Sequence, residues 1–140
     1  MEDRIPLERL RTAAREVGEA IGARLVVLFG STARRNASPM DLDIGVLPGS
    51  PGKALDMVDL TNRFTRALDL AEIDVADLGR ADPLLCMLVA RDGIPLYEAT
   101  PAEFHRFVSL AARRYADTRK FRSMERRQIQ EFIDRSGIPS

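Results

Sequence analysis

A chain of 140 residues that is 45% hydrophobic and 30% charged has the proportions of one folded domain, 1–140, and is too rich in apolar residues to be a disordered tail. Its apolar runs fall short of the ~18 residues that cross a bilayer, Met1-Glu2-Asp3-Arg4 is too charged to head a secretion signal, and a single cysteine leaves no disulfide framework; a cytoplasmic protein with no membrane partner is expected. The formal charge is zero but unevenly laid, with 12 Lys/Arg against 16 Asp/Glu in residues 1–100 and 9 against 5 in residues 101–140, which makes the C-terminal segment the basic end.

Leu7, Leu10, Ala14, Val17 and Ile21 recur at steps of three and four, the spacing of one helix face, and Gly22 is the expected stop. Leu25-Val26-Val27-Leu28-Phe29 is a short continuous apolar run ending at Gly30, as in a strand covered on both faces. Asp41 to Leu47 reads as the next strand, closed by the turn-rich Pro48-Gly49-Ser50-Pro51-Gly52. A second helix is expected over Ala54 to Leu68 and a third strand over Glu72 to Leu78. Asp82-Pro83 sets a capping side chain before a proline in the first turn, which opens a third helix that Gly93 ends. Ile94 to Glu98 is a short edge strand or an extended tail to the sheet. Thr100-Pro101-Ala102-Glu103 has the form of a capping box with proline at the first helical position, and predicts a long C-terminal helix over about 101–134. The order implies an α/β (α+β) fold, a small mixed sheet with flanking helices.

Chemistry concentrates between Gly30 and Val46. Gly30 and Ser31 end a strand where a helix can begin, so free backbone N–H groups and a hydroxyl can cradle a phosphate without side-chain obstruction. Asp41 and Asp43 stand at i and i+2 of a strand and project from one face. Two carboxylates that close repel unless a cation lies between them, and hard oxygen ligands facing a phosphate favour Mg²⁺. Asp74 lies in the otherwise apolar Ile73-Asp74-Val75-Ala76, where a buried carboxylate needs a partner or a metal; Glu72 and Asp77 are its rivals as third ligand. Three carboxylates and a triphosphate suffice for in-line displacement assisted by two metal ions.

Gly30-Ser31, nine intervening residues, Asp41-x-Asp43 and a downstream Asp74 together resemble the signature of the DNA polymerase β-like nucleotidyltransferases, and the short length is similar to their minimal nucleotidyltransferase (MNT) branch. The resemblance runs over roughly residues 7 to 98 in element order. It implies that Gly30 and Ser31 hold the triphosphate of ATP, that Asp41 and Asp43 bind two Mg²⁺ ions, that Asp74 completes the site as ligand or general base, and that Arg34 touches phosphate. Many MNT proteins have ten residues between serine and first aspartate; the nine here imply an altered loop rather than a lost site. The branch also implies an antitoxin that adenylylates (AMPylates) a tyrosine hydroxyl of a HEPN-domain ribonuclease toxin. The alternatives are a transferase acting on a small molecule such as an aminoglycoside, for which a second domain is usual, and an antitoxin that neutralises by masking alone. Nucleic acid is not expected as a direct substrate.

Elsewhere the plainer reading prevails. Arg113, Arg114, Arg119, Lys120, Arg122, Arg126 and Arg127 form a basic helix face suited to an acidic partner, nucleic acid or nucleotide phosphates, but Asp117, Glu125 and Glu131 are available as ion-pair partners and a solvated face is the expectation. Cys86, in an apolar run, is expected to be a buried inert thiol, and His105, the only histidine, to be exposed with no catalytic partner in recognisable spacing.

Overall fold

The structure is a computed structural model that describes residues 5–30, 42–70 and 72–136. Its elements in chain order are α1 (Leu7–Ile21), β1 (Leu25–Phe29), β2 (Leu42–Leu47), α2 (Met57–Leu68), β3 (Ile73–Asp77), α3 (Pro83–Asp92), β4 (Ile94–Glu98) and α4 (Glu103–Ser136). Four strands make one mixed sheet in the order β3-β2-β1-β4. β1 pairs antiparallel with both β2 and β4, and β2 pairs parallel with β3.

Helices cover both faces because both faces are apolar. Leu10, Ala14 and Val17 of α1 and Leu60, Phe64 and Leu68 of α2 close over Val26, Leu28, Ile44 and Val46. On the opposite face Cys86 and Val89 of α3 with Phe107 and Ala111 of α4 close over Leu25, Val27 and Leu78. Strands buried on both sides explain why Leu25 to Phe29 reads as an unbroken apolar run rather than an alternation. β4 is the edge strand that its proline permits.

Local chemistry sets most boundaries. Gly22 adopts φ +69° and ends α1, a left-handed turn that costs glycine nothing. The Asp82 carboxylate accepts the Leu85 N–H at 2.8 Å, with Pro83 in the first turn of α3. Two starts differ from expectation. α2 begins at Met57 rather than near Ala54, because the Asp56 side chain accepts the Asp59 N–H and caps the helix there. α4 begins at Glu103 rather than 101, because Ala102 stands at φ +69°, outside the helical region. The box is accordingly rewired: the Thr100 hydroxyl donates to the Glu103 carboxylate at 2.7 Å, and the Glu98 carboxylate accepts the Phe104 N–H.

α4 packs its first half on α3 and touches β4. Beyond Tyr115 its described side chains are largely exposed, Ile129 and Phe132 at 60% each. Among the described residues no helix is long and apolar enough to cross a membrane.

Candidate active site

The site lies at the end of the sheet where β1 stops and β2 and β3 begin. Phe29 is the partner of Asp43 across β1–β2, and Asp43 is the partner of Asp74 across β2–β3. The three residues form a row across neighbouring strands. Because side chains alternate along a strand, the row shares the α3/α4 face with Val27 and Leu78. Adjacent strands run ~4.8 Å apart, and the parallel register makes Asp43 and Asp74 direct neighbours across β2–β3.

Gly30 completes the row. It takes φ +73°, and a Cβ built on it would overlap the Asp43 carboxylate and stand 3.0 Å from its Cγ. Only a residue without a side chain lets the backbone leave β1 so close to an acid. Asp43 is half-buried, while Asp74 is exposed.

Of the expected site residues, Gly30, Asp43 and Asp74 are brought together, whereas Ser31, Arg34 and Asp41 lie outside the described residues. Among the described residues no set of three or more potential metal ligands gathers, and the remaining expected carboxylate, Asp41, is not among them. The expectation that Asp74 is buried is corrected. β3 is an edge strand with one neighbour, and the α3/α4 layer leaves its first residues open. A burial penalty therefore does not force Asp74 to find a cation.

The rival Asp77 is accounted for differently. It stands at the other end of β3, and its carboxylate accepts the Gly79 N–H at 2.9 Å, closing the turn after the strand. Glu72 is exposed and precedes the first paired residue of β3. Cys86 is buried as expected; burial, countered by nearby Arg114 and reinforced by Asp82, pushes its thiol up, and its Sγ lies 3.8 Å from the carbonyls of Leu78 and Ala81. His105 is exposed.

β1 thus ends at a glycine that stands beside two neighbouring acidic residues, Asp43 and Asp74. Residues 19–102 match the family described as polymerase beta, nucleotidyltransferase, and the chain belongs to that family: it is a nucleotidyltransferase. Across its length it is similar to the protein adenylyltransferase MntA of Aphanizomenon flos-aquae (strain 2012/KM1/D3), 26% identical over 151 aligned residues that cover 99% of this chain and 100% of the relative. The fold is similar to a crystal structure of a toxin-antitoxin with AMP-PNP (TM-score 0.70, 22% identity, 86% of this chain and 98% of the other). It is also similar to the structure of a tri-AMPylated Shewanella oneidensis HEPN toxin in complex with MNT antitoxin (TM-score 0.67, 22% identity, 88% and 98%).

Proposed function

We propose that this chain is an antitoxin that transfers AMP from ATP to a tyrosine hydroxyl of a HEPN-domain ribonuclease, with Mg²⁺ at the carboxylates. The observation that carries the reading is the Asp43–Asp74 pairing beside the open backbone of Gly30. The full-length similarity to a protein adenylyltransferase supports protein as the acceptor class, and the likeness of fold to MNT antitoxins supports a HEPN partner.

The donor set fits the metal. Asp43 and Asp74, joined by Asp41, supply hard anionic oxygens of the kind Mg²⁺ takes alongside phosphate and water. Bound there, the metal supplies charge neutralisation for an in-line displacement. The chain's own residues do the positioning. Gly30 and Ser31 offer donors to the triphosphate with no Cβ between backbone and anion at residue 30, and Arg34 adds a positive charge. The exposure of Asp74 suits it to meet an incoming hydroxyl and take its proton. The acceptor oxygen then bonds to the α-phosphorus as the bond to the bridging oxygen breaks, and pyrophosphate leaves.

The test is incubation of the protein with its purified partner, ATP and Mg²⁺. A mass gain of whole AMP units on a partner tyrosine, with matching pyrophosphate release, is expected from wild type and not from Asp43→Asn. Full neutralisation of the partner by Asp43→Asn without transfer would make masking the better account.

A further inference from the structure

On the same face of the sheet as the carboxylates, but at its opposite end, lies a recess of about 210 Å³. Its floor is apolar, formed by Leu47 at the end of β2, Leu78 after β3, and Phe107 and Ala111 of α4. Its rim is cationic. Arg24, Lys53, Arg80 and Arg114 all line it, and no carboxylate does. From Asp43 to Leu47 is four residues of strand, ~13 Å at ~3.3 Å per residue, so the recess is separate from the carboxylate site.

The four cations are not equivalent. Arg24 is spent on the fold, donating to the Gly49 carbonyl at 3.3 Å and lying 3.9 Å from the Glu103 carboxylate. Lys53, Arg80 and Arg114 have no side-chain hydrogen bond or ion pair among the described residues. They reach the rim from three separate segments, the β2–α2 loop, the β3–α3 loop and α4. All three are exposed and set like charge around one apolar floor, a local positive field that attracts an anion. Guanidinium groups meet a carboxylate or phosphate head with paired donors, and the floor meets whatever apolar body carries that head. The volume is below the ~300 Å³ at which pockets for drug-sized ligands begin, which limits the occupant to a single small ring or short chain.

We propose that this recess binds a small organic anion, a carboxylate or phosphate carried on one apolar ring or short chain, held by Lys53, Arg80 and Arg114 over Leu47, Leu78 and Phe107. It is independent of the transfer reaction assigned to the other end of the sheet.

The test is titration of the ¹⁵N-labelled full chain with phenyl phosphate, benzoate and inorganic phosphate at constant ionic strength. Saturable amide shifts confined to Ser50, Gly52, Gly79 and Leu110, absent at Gly30, Asp43 and Asp74, are expected with phenyl phosphate or benzoate. The tighter of the two identifies the head group. The exposed double substitution Lys53→Gln with Arg80→Gln should weaken that binding by at least about tenfold, since each removes a charge-assisted contact. Inorganic phosphate binding as tightly as phenyl phosphate, shifts that never saturate, or affinity unchanged in the double variant would overturn the proposal.

Discussion

One methyl group on Gly30 would overlap the carboxylate of Asp43. Gly30→Ala therefore has two separable effects. The left-handed φ of +73° should cost about 1–2 kcal/mol of stability with any side chain, and the overlap should push Asp43 out of line with Asp74. Gly22→Ala is the control, because Gly22 shares the positive φ with nothing within 4 Å of its would-be Cβ. Both variants should melt lower, while only Gly30→Ala should lose pyrophosphate release. Equal activity in the two would remove the close approach from the mechanism.

Asp43→Asn and Asp74→Asn keep shape and remove charge. Each should lower transfer by on the order of a hundredfold or more, the range seen when a preorganised charge-stabilising group is removed, and Asp41→Asn should follow. Asp77→Asn should be nearly neutral, since the carbonyl oxygen of asparagine can still accept the Gly79 N–H that Asp77 accepts now. Pyrophosphate release under saturating ATP, with a melting curve for each variant, distinguishes a lost site from a lost fold.

Glu103 sets an acid limit on stability. Burial alone pushes its carboxyl up, but hydrogen bonds from Thr100 and Arg106, with the charges of Arg106 and Arg24, outweigh burial and hold it below its ordinary value of 4.5. A carboxyl lowered on folding adds stability that is complete above that ordinary value and is lost as pH falls through the folded value. The melting temperature of wild type should thus decline as pH drops below about 4.5. Glu103→Gln should melt lower at neutral pH and show a shallower acid decline. Parallel acid profiles would mean that other carboxyls carry the effect.

Phe64 is fully buried between α2 and the sheet. Phe64→Ala should cost about 3–5 kcal/mol, a large share of the ~5–15 kcal/mol that holds a domain together. Chemical denaturation read by circular dichroism measures it directly. A midpoint close to wild type would mean that the α1/α2 layer is packed less tightly than described.

The basic half of α4 bears on the proposed partner. Arg119 is exposed, and the Arg122 guanidinium stands 4.5 Å from the Tyr115 ring centroid, a contact worth only ~0.5–1 kcal/mol at exposed sites. Arg119→Glu with Arg122→Glu should leave the fold intact and slow association with the partner most at low salt. Unchanged association rates at low salt would leave that face to solvent.

Elements whose cause is local were legible in the sequence. The stripe from Leu7 to Ile21 with Gly22, the Asp82-Pro83 cap and the apolar run of β1 each carry their own signal, and each matches its element. The starts of α2 and α4 were not legible, because the first turns on which acid finds a free N–H, here Asp56, and the second on the left-handed φ that Ala102 adopts. The order β3-β2-β1-β4 is a tertiary outcome, and with it went the exposure of Asp74, a residue whose neighbours in sequence are apolar but whose strand is an edge. Gly30, Asp43 and Asp74 carry a motif signal in the sequence, and the register makes them neighbours. The cationic recess could not, since Lys53, Arg80 and Arg114 belong to segments that share no spacing.

The parallel pairing of β2 with β3 also decides when the site comes into being during synthesis. Parallel neighbours cannot be joined by a tight turn; they need a crossover of a dozen or more residues, here the stretch that contains α2. A growing chain therefore holds Asp43 without Asp74 until α2 has packed and β3 has paired. It then gains the carboxylate pair before β4, the strand that covers the far edge of β1, has emerged to pair. A chain in which β3 has paired and β4 has not would have both acids in register and one edge of β1 bare, open to pairing with another such chain before its own edge strand arrives.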